Sequence, residues 1–104
     1  MITDMSRPVP RLSATERLIL DLLRQGELFG LQLVDRSEGA LKRGTVYVTL
    51  GRMEEKGYIV SRLEDAPPDM GGMPRRLYKA TPLGRRVLAA WTSAATHLIP
   101  EFAR

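Results

Sequence analysis

Hydrophobic residues recur at helical spacing in three short segments of the first half of the chain, and a glycine follows each one. The first segment begins at Ser13, which forms a capping-box spacing with Glu16, and ends at Gly26. A second helix is predicted over residues 30–37, and a third over residues 44–56. Three short helices joined by tight glycine-containing turns predict a helix-turn-helix core.

The pattern changes after Gly57. Residues 58–63 are β-branched and aromatic, residues 66–74 carry three prolines and a glycine pair, and residues 75–80 form a returning strand, which together predict a hairpin with a long tip. Thr81 and Pro82 then start a last helix that can run to about Ile99. The predicted fold is mainly α with a small β-hairpin, a winged helix-turn-helix of order α-α-α-β-β-α. Its predicted parts are an N-terminal arm (1–11), a winged domain (12–80) and a C-terminal dimerisation helix with its tail (81–104).

The third predicted helix has two faces at about 100° per residue. Val46, Leu50 and Met53 form an inner stripe. Hydrogen-bond donors and cations cluster a quarter-turn away, with Val48 beside them: Thr45, Thr49, Arg52 and Lys56. A helix that enters the DNA major groove needs this division, whereas a solvated surface helix would need only the charges.

Charge favours the first of these interpretations. The 104 residues carry a net charge of +4, and every charged residue between positions 70 and 86 is basic. Arg75 and Arg76 lie close to the Gly71-Gly72 pair of the predicted tip, where a loop can approach a phosphate backbone. Two separate basic features on one helix-turn-helix therefore predict double-stranded DNA as the partner.

Enzymatic and metal chemistry are not expected. There is no cysteine, His97 is the only histidine, and the acids show no pairing typical of a general acid/base site. Neither a signal peptide nor a membrane-length apolar run is present, so we expect a cytoplasmic protein with no cofactor and no membrane partner.

The last helix is apolar over about half of its circumference, more than the roughly 100° stripe needed to cover one domain. The excess predicts a two-fold homodimer. We expect the interface to contain Leu20, Val87, Trp91, Ala94, Ala95, Leu98 and Ile99. Trp91 is either an anchor of the core or interface, or a stacking surface for a small aromatic effector.

Several motifs resemble the PadR family of bacterial transcriptional regulators between about residues 12 and 88. The most specific are the start of the third helix, Gly44-Thr45-Val46-Tyr47, and the return strand with its following turn, 75–84 (RRLYKATPLG). This resemblance alone implies that Tyr47 also contacts DNA. Two departures stand out: Lys42-Arg43 replace the Ser-Pro pair that often precedes Gly-Thr, and Phe29-Gly30-Leu31 replace His-Gly-Tyr.

The sequence thus predicts a sequence-specific DNA-binding transcriptional regulator, a homodimeric repressor on a pseudo-palindromic operator. The predicted DNA-binding residues are Lys42, Arg43, Thr45, Tyr47, Thr49, Arg52, Lys56, Arg75 and Arg76. The alternative is a winged-helix protein–protein module that does not bind DNA.

Overall fold

The structure, a computed structural model, describes residues 11–64 and 75–98, with side chains to residue 94. The predicted arm up to Pro10, the whole predicted hairpin tip (66–74) with its glycine pair, and the residues from Ile99 onward lie outside the described residues. The elements are α1 (Ala14–Leu22), a 3-10 helix (Leu23–Gln25), β1 (Leu28–Phe29), α2 (Gly30–Arg36), α3 (Arg43–Glu55), β2 (Ile59–Glu64), β3 (Arg75–Ala80) and α4 (Pro82–Leu98).

Two of the helices start where the local sequence predicts. At α1 the Ser13 hydroxyl accepts from the Glu16 amide at 3.1 Å, and the Ser13 amide donates to the Glu16 carboxylate at 2.9 Å. At α4 the Thr81 hydroxyl accepts from the Gly84 amide at 2.9 Å. These bonds satisfy amides that a helix start leaves free, which confirms both predicted caps.

The end of α3 turns the chain sharply into the sheet. The Tyr58 amide donates to the Met53 carbonyl and the Gly57 amide to the Glu54 carbonyl, both at 3.0 Å. This Schellman pattern needs a left-handed residue, and Gly57 supplies it with φ of 80°. The turn therefore fixes where the hairpin begins relative to α3.

In the described part of the chain, the sheet has three antiparallel strands in the order β1-β3-β2. The sequence predicted only the hairpin of β2 and β3. In the structure, Ser61 of β2 pairs with Tyr78 of β3. The extra strand β1 pairs Leu28 with Tyr78 and Phe29 with Leu77. A strand of two residues is too short to show the alternation of apolar and polar residues by which a strand is recognised in a sequence.

One hydrophobic core lies between the helices and the inner face of the sheet. It contains Leu12, Ile19, Leu20, Leu23, Leu28, Leu33, Leu41, Val46, Leu50, Met53, Ile59, Tyr78, Ala80 and Val87. The three residues of the predicted inner stripe of α3 are all buried, as expected. Within the described part of the chain, no helix is long and apolar enough to cross a membrane.

The first turn of α4 is fixed to the turn that follows α3. The Thr81 hydroxyl donates to the Gly57 carbonyl at 2.6 Å, and the Thr81 amide to the Tyr58 carbonyl at 3.0 Å. Gly84 packs so closely here that a β-carbon would overlap the Tyr58 carbonyl oxygen and lie 3.0 Å from its carbon. The position of α4 therefore depends on a glycine at residue 84.

Candidate nucleic-acid interface

The outer face of α3 is directed away from the core and presents the predicted donors. Thr45 and Arg52 are exposed and Thr49 is partly exposed, while Val48 beside them has 56% of its surface accessible. In residues 11–64 and 75–98, neither an ion pair nor a side-chain hydrogen bond engages the Arg52 guanidinium. This guanidinium is thus available to an external acceptor.

The start of α3 adds two further cations. Lys42 is the residue before the helix and Arg43 its first residue, and both are exposed. Lys42 provides no side-chain cap to the helix. Its carbonyl accepts from the Thr45 and Val46 amides instead, at 3.2 and 2.9 Å. The positive end of the helix dipole and two basic side chains therefore coincide, which favours an anion.

Lys56, at the other end of α3, already has a partner. Its ammonium donates to the Glu16 carboxylate at 2.6 Å, and that carboxylate is also part of the α1 capping box. Burial raises the pKa of the Glu16 carboxyl, but the hydrogen bonds from Lys56 and Ser13 lower it by more, so its pKa lies below the ordinary 4.5. This pair ties the start of α1 to the end of α3.

Replacing Glu16 by glutamine should lower the free energy of unfolding at pH 7 by about 1–2 kcal/mol, because Lys56 loses a charged acceptor. The ionised Glu16 stabilises the folded chain fully above its unfolded pKa near 4.5, and this contribution is lost as pH falls through the lower folded pKa. Urea unfolding should therefore show a larger difference between the variant and wild type at pH 7 than at pH 3.

A matched control is Glu27→Gln, which removes the same charge from an exposed pair with Arg62. Its effect should be smaller, since solvent screens exposed pairs. Equal losses for the two variants at pH 7, or a loss for Glu16→Gln that is as large at pH 3 as at pH 7, would contradict the assigned role of Glu16.

Tyr47 lies apart from the threonines, as its position on the helix requires. Its ring covers Gly30 of α2, where a β-carbon would lie 2.5 Å from the ring edge. The side chain is nevertheless 48% exposed. Gly30 makes room for this ring, and the Tyr47 hydroxyl lies beside α2 at the margin of the outer face of α3.

The two wing arginines lie on opposite faces of the hairpin, because neighbouring residues of a strand alternate in direction. Arg76 is on the α3 side, where its guanidinium donates to the Ser61 hydroxyl at 2.9 Å. The Ser61 hydroxyl in turn donates to the Glu54 carboxylate of α3 at 2.7 Å. This chain of hydrogen bonds links the wing to α3.

Arg75 belongs to the outer face of the sheet. Its guanidinium carbon lies 4.2 Å from the centroid of the Phe29 ring, and it forms a 3.4 Å ion pair with Glu64. Stacking on β1 and pairing with β2 give Arg75 a structural role at the end of the hairpin next to its tip.

Burial raises the pKa of the Tyr78 phenol, with a further rise from Glu54, while Arg76 opposes it. Tyr78 thus lies in the same polar cluster as the hydrogen-bonded chain. Glu54 and Ser61 were not predicted from the sequence as members of this site, because their hydrogen bonds join three separate elements. Period-two alternation along β3 was a signal only that Arg75 and Arg76 lie on opposite faces.

The residues predicted for the dimer interface divide between core and surface. Leu20 is only 1% exposed and belongs to the core of its own chain, as does Val87. Trp91 packs partly against that core, and the Arg17 guanidinium covers its ring at 4.2 Å. Ala94 is partly exposed, while the side chains of Ala95 and Leu98 lie outside the described set.

No group of three or more histidine, cysteine, aspartate or glutamate residues that could hold a metal ion occurs in the described ranges. The site instead consists of hydroxyl donors, cations and one apolar side chain on a helix, with a hairpin beside it. A three-helix core with this hairpin defines the chain as a winged helix-turn-helix protein.

Residues 19–90 match the model of the transcriptional regulator PadR-like family, so the chain belongs to that family. This membership confirms the resemblance seen in the sequence. The family consists of transcription regulators, in line with the expectation that the chain is not an enzyme. A comparison with curated protein sequences finds no significant match.

Solved structures with the same fold include Bacillus subtilis PadR in complex with operator DNA, with 23% identity and a TM-score of 0.70 over 77% of this chain and 48% of that chain. A PadR family regulator from hypervirulent Clostridium difficile has 23% identity and a TM-score of 0.70, covering 88% and 100%. One from Eggerthella lenta has 27% identity and a TM-score of 0.67, covering 85% and 76%. The chain spans about half the length of the Bacillus subtilis protein.

Proposed function

We propose that this regulator acts by binding double-stranded DNA, in the cytoplasm, as a homodimeric repressor on a pseudo-palindromic operator. The observation that carries the proposal is the outer face of α3, where Thr45, Thr49 and Arg52 lie beside an exposed valine and Arg52 has no partner in the described chain. A structure of similar fold was solved with operator DNA, which is consistent with this role.

The centre of the proposed contact is Thr45, Thr49 and Arg52, which fit base edges and phosphates of the major groove. Lys42 and Arg43 would contact phosphates at the start of α3, and Arg76 would contact them from the wing. Lys56 and Tyr47 complete the proposed surface at its margins, and Arg75 would support the hairpin through Phe29 and Glu64 without neutralising a phosphate. For Lys56, any phosphate contact competes with Glu16.

The proposal is tested by selecting duplexes from a randomised pool and titrating the best one at several salt concentrations. Log affinity should fall linearly with log salt, with a slope of about −0.9 for each neutralised phosphate. A winged-helix module that binds only proteins would enrich no sequence and would show no affinity for duplex DNA at low salt.

Removing Arg76 should weaken the salt dependence, whereas removing Arg75 should not. Arg76→Ala is expected to reduce the slope by about one unit, since one phosphate contact is lost. Arg75→Ala has the same charge change but removes the contacts with Phe29 and Glu64, so it should lower the unfolding midpoint and leave the slope unchanged. Equal slopes for Arg76→Ala and wild type would remove the wing from the interface.

The dimer is proposed on the properties of α4, a helix of 17 residues and roughly 25 Å. Its first half covers the core through Val87, with Leu88 and Trp91 packed against that core. We propose that its second half pairs with the same helix of a second copy. The proposed parts of the chain are an N-terminal arm (1–11), a DNA-binding domain (12–80) and a C-terminal dimerisation helix with its tail (81–104).

The interface would contain Trp91, Ala94, Ala95, Leu98 and Ile99. Val87 and Leu20 belong to the core behind this surface. Because Arg17 covers one face of the Trp91 ring, we assign Trp91 to anchoring; a small aromatic effector would have to displace that guanidinium or use the other face.

Sedimentation should show a dimer at micromolar concentration. A chain ending before Ala94 should retain the winged domain, because it keeps the α4 residues that pack on the core, but dissociate to monomers with weaker operator binding. Two recognition helices are needed to occupy successive major grooves about 34 Å apart. A full chain that sediments as a monomer would contradict the dimer and the palindromic operator.

A further inference from the structure

Val48 is the large apolar side chain at the centre of the outer face of α3. It is 56% exposed, while Val46, Leu50 and Met53 on the same helix are buried. Single exposed apolar residues are common on protein surfaces. The surroundings of Val48 are what make its exposure informative.

Glycines lie one helical turn before and one turn after Val48. A β-carbon built on Gly44 or Gly51 would meet nothing within 4 Å, and neither residue has a positive φ. Folding of the isolated chain therefore gives no reason for glycine at either position. A glycine inside a helix is about 1 kcal/mol less favourable than alanine, so Gly51 weakens α3 with no compensating packing in the described structure.

Because Gly44 and Gly51 have no side chains, another surface could approach the helix backbone closely on both sides of Val48. Thr45 and Arg52 flank the same patch, so an approaching surface must also satisfy hydroxyl and guanidinium donors. The major groove of DNA meets both requirements, because its base edges carry acceptors and one apolar group, the 5-methyl group of thymine.

We propose that Val48 is a specificity-determining residue that contacts a thymine 5-methyl group, and that Gly51 allows the duplex to approach closely enough for this contact. The inference rests on the proposed DNA binding and adds the kind of base that is read. Each half-site of the operator then contains a thymine opposite the middle of α3, between the base positions contacted by Thr45 and Arg52.

The test uses the full chain and the selected operator, with each thymine replaced in turn by deoxyuridine. This change removes the 5-methyl group and leaves base pairing intact. At one thymine of each half-site, affinity should fall about fourfold, the effect of exposing one buried methyl group. Equal affinity for the thymine and deoxyuridine duplexes at every position overturns the inference.

Val48→Ala supplies the second arm of the test. The variant should bind the thymine operator less tightly than wild type and should no longer distinguish it from the deoxyuridine operator. Its thermal unfolding should remain close to wild type, since the side chain is exposed and alanine favours helix. A Val48→Ala protein that still discriminates about fourfold would assign the methyl contact to another residue and overturn the role of Val48.

Gly51→Ala tests the close approach separately. The added methyl group should stabilise the free protein but weaken operator binding, a combination that a purely structural glycine would not produce. Unchanged affinity overturns the role given to Gly51. If no duplex binds in a salt-dependent way, the proposed function fails as a whole; if binding is normal and thymine is not distinguished, only this inference fails.

Discussion

An alanine at position 84 is expected to destabilise the folded chain by about 3 kcal/mol or more, because the new methyl group would overlap backbone that cannot rotate away. The obstructing atom is the carbonyl oxygen of Tyr58, and the Leu20 side chain closes the other side at 3.1 Å. To relieve the overlap, α4 must move away from the turn after α3. That movement breaks the hydrogen bonds by which Thr81 holds Gly57 and Tyr58.

Urea unfolding followed by circular dichroism measures this effect as a lower midpoint. The control is Gly51→Ala, which adds the same methyl group at an open helical position. It should raise the urea midpoint, because the free energy of unfolding should increase by up to about 1 kcal/mol. If Gly84→Ala unfolds at the wild-type midpoint, α4 does not depend on the close approach described above.

Replacing Arg52 by alanine is expected to weaken operator binding by about 1–3 kcal/mol while leaving the fold intact. The guanidinium lies exposed on the outer face of α3, so its removal disturbs no ion pair in the described ranges. A bidentate guanine contact would relax the preference at one base pair, whereas a phosphate contact would weaken all sequences alike.

Binding to the selected operator and to variants of each base pair separates these two outcomes. Arg24→Ala is a matched control, since it removes the same charge from the 3-10 helix after α1, where Arg24 pairs only with Asp21 in the described structure. If both variants lose affinity equally, the effect of Arg52 is one of net charge and the recognition face has been assigned wrongly.

Local chemistry made most of the fold predictable from the sequence. Ser13, Gly57 and Thr81 each act within a few residues of their own position, so the helix ends they determine fall within about one residue of the prediction. The short strand β1 escaped detection because it exists only through its pairing with β3, about 50 residues later in the chain.

The candidate site was less predictable because its organisation depends on distant contacts. The wheel of α3 separated the buried stripe from Thr45 and Arg52 correctly. It could not reveal that Lys56 is held by Glu16, 40 residues earlier. Likewise, an apolar stripe on α1 does not say whether Leu20 faces its own core or a partner, and packing decided for the core.

The division of labour along α3 defines how this protein could be retargeted to a new operator. A library that varies positions 45, 48, 49 and 52 would change the outward side chains without touching the buried stripe. Lys56 would have to stay constant, because exchanging it also breaks a bond that organises the start of α1, and Glu54 because it holds Ser61 and through it Arg76. A recognition helix transplanted whole from a relative would fail for the same reason unless residues 16 and 61 were changed with it.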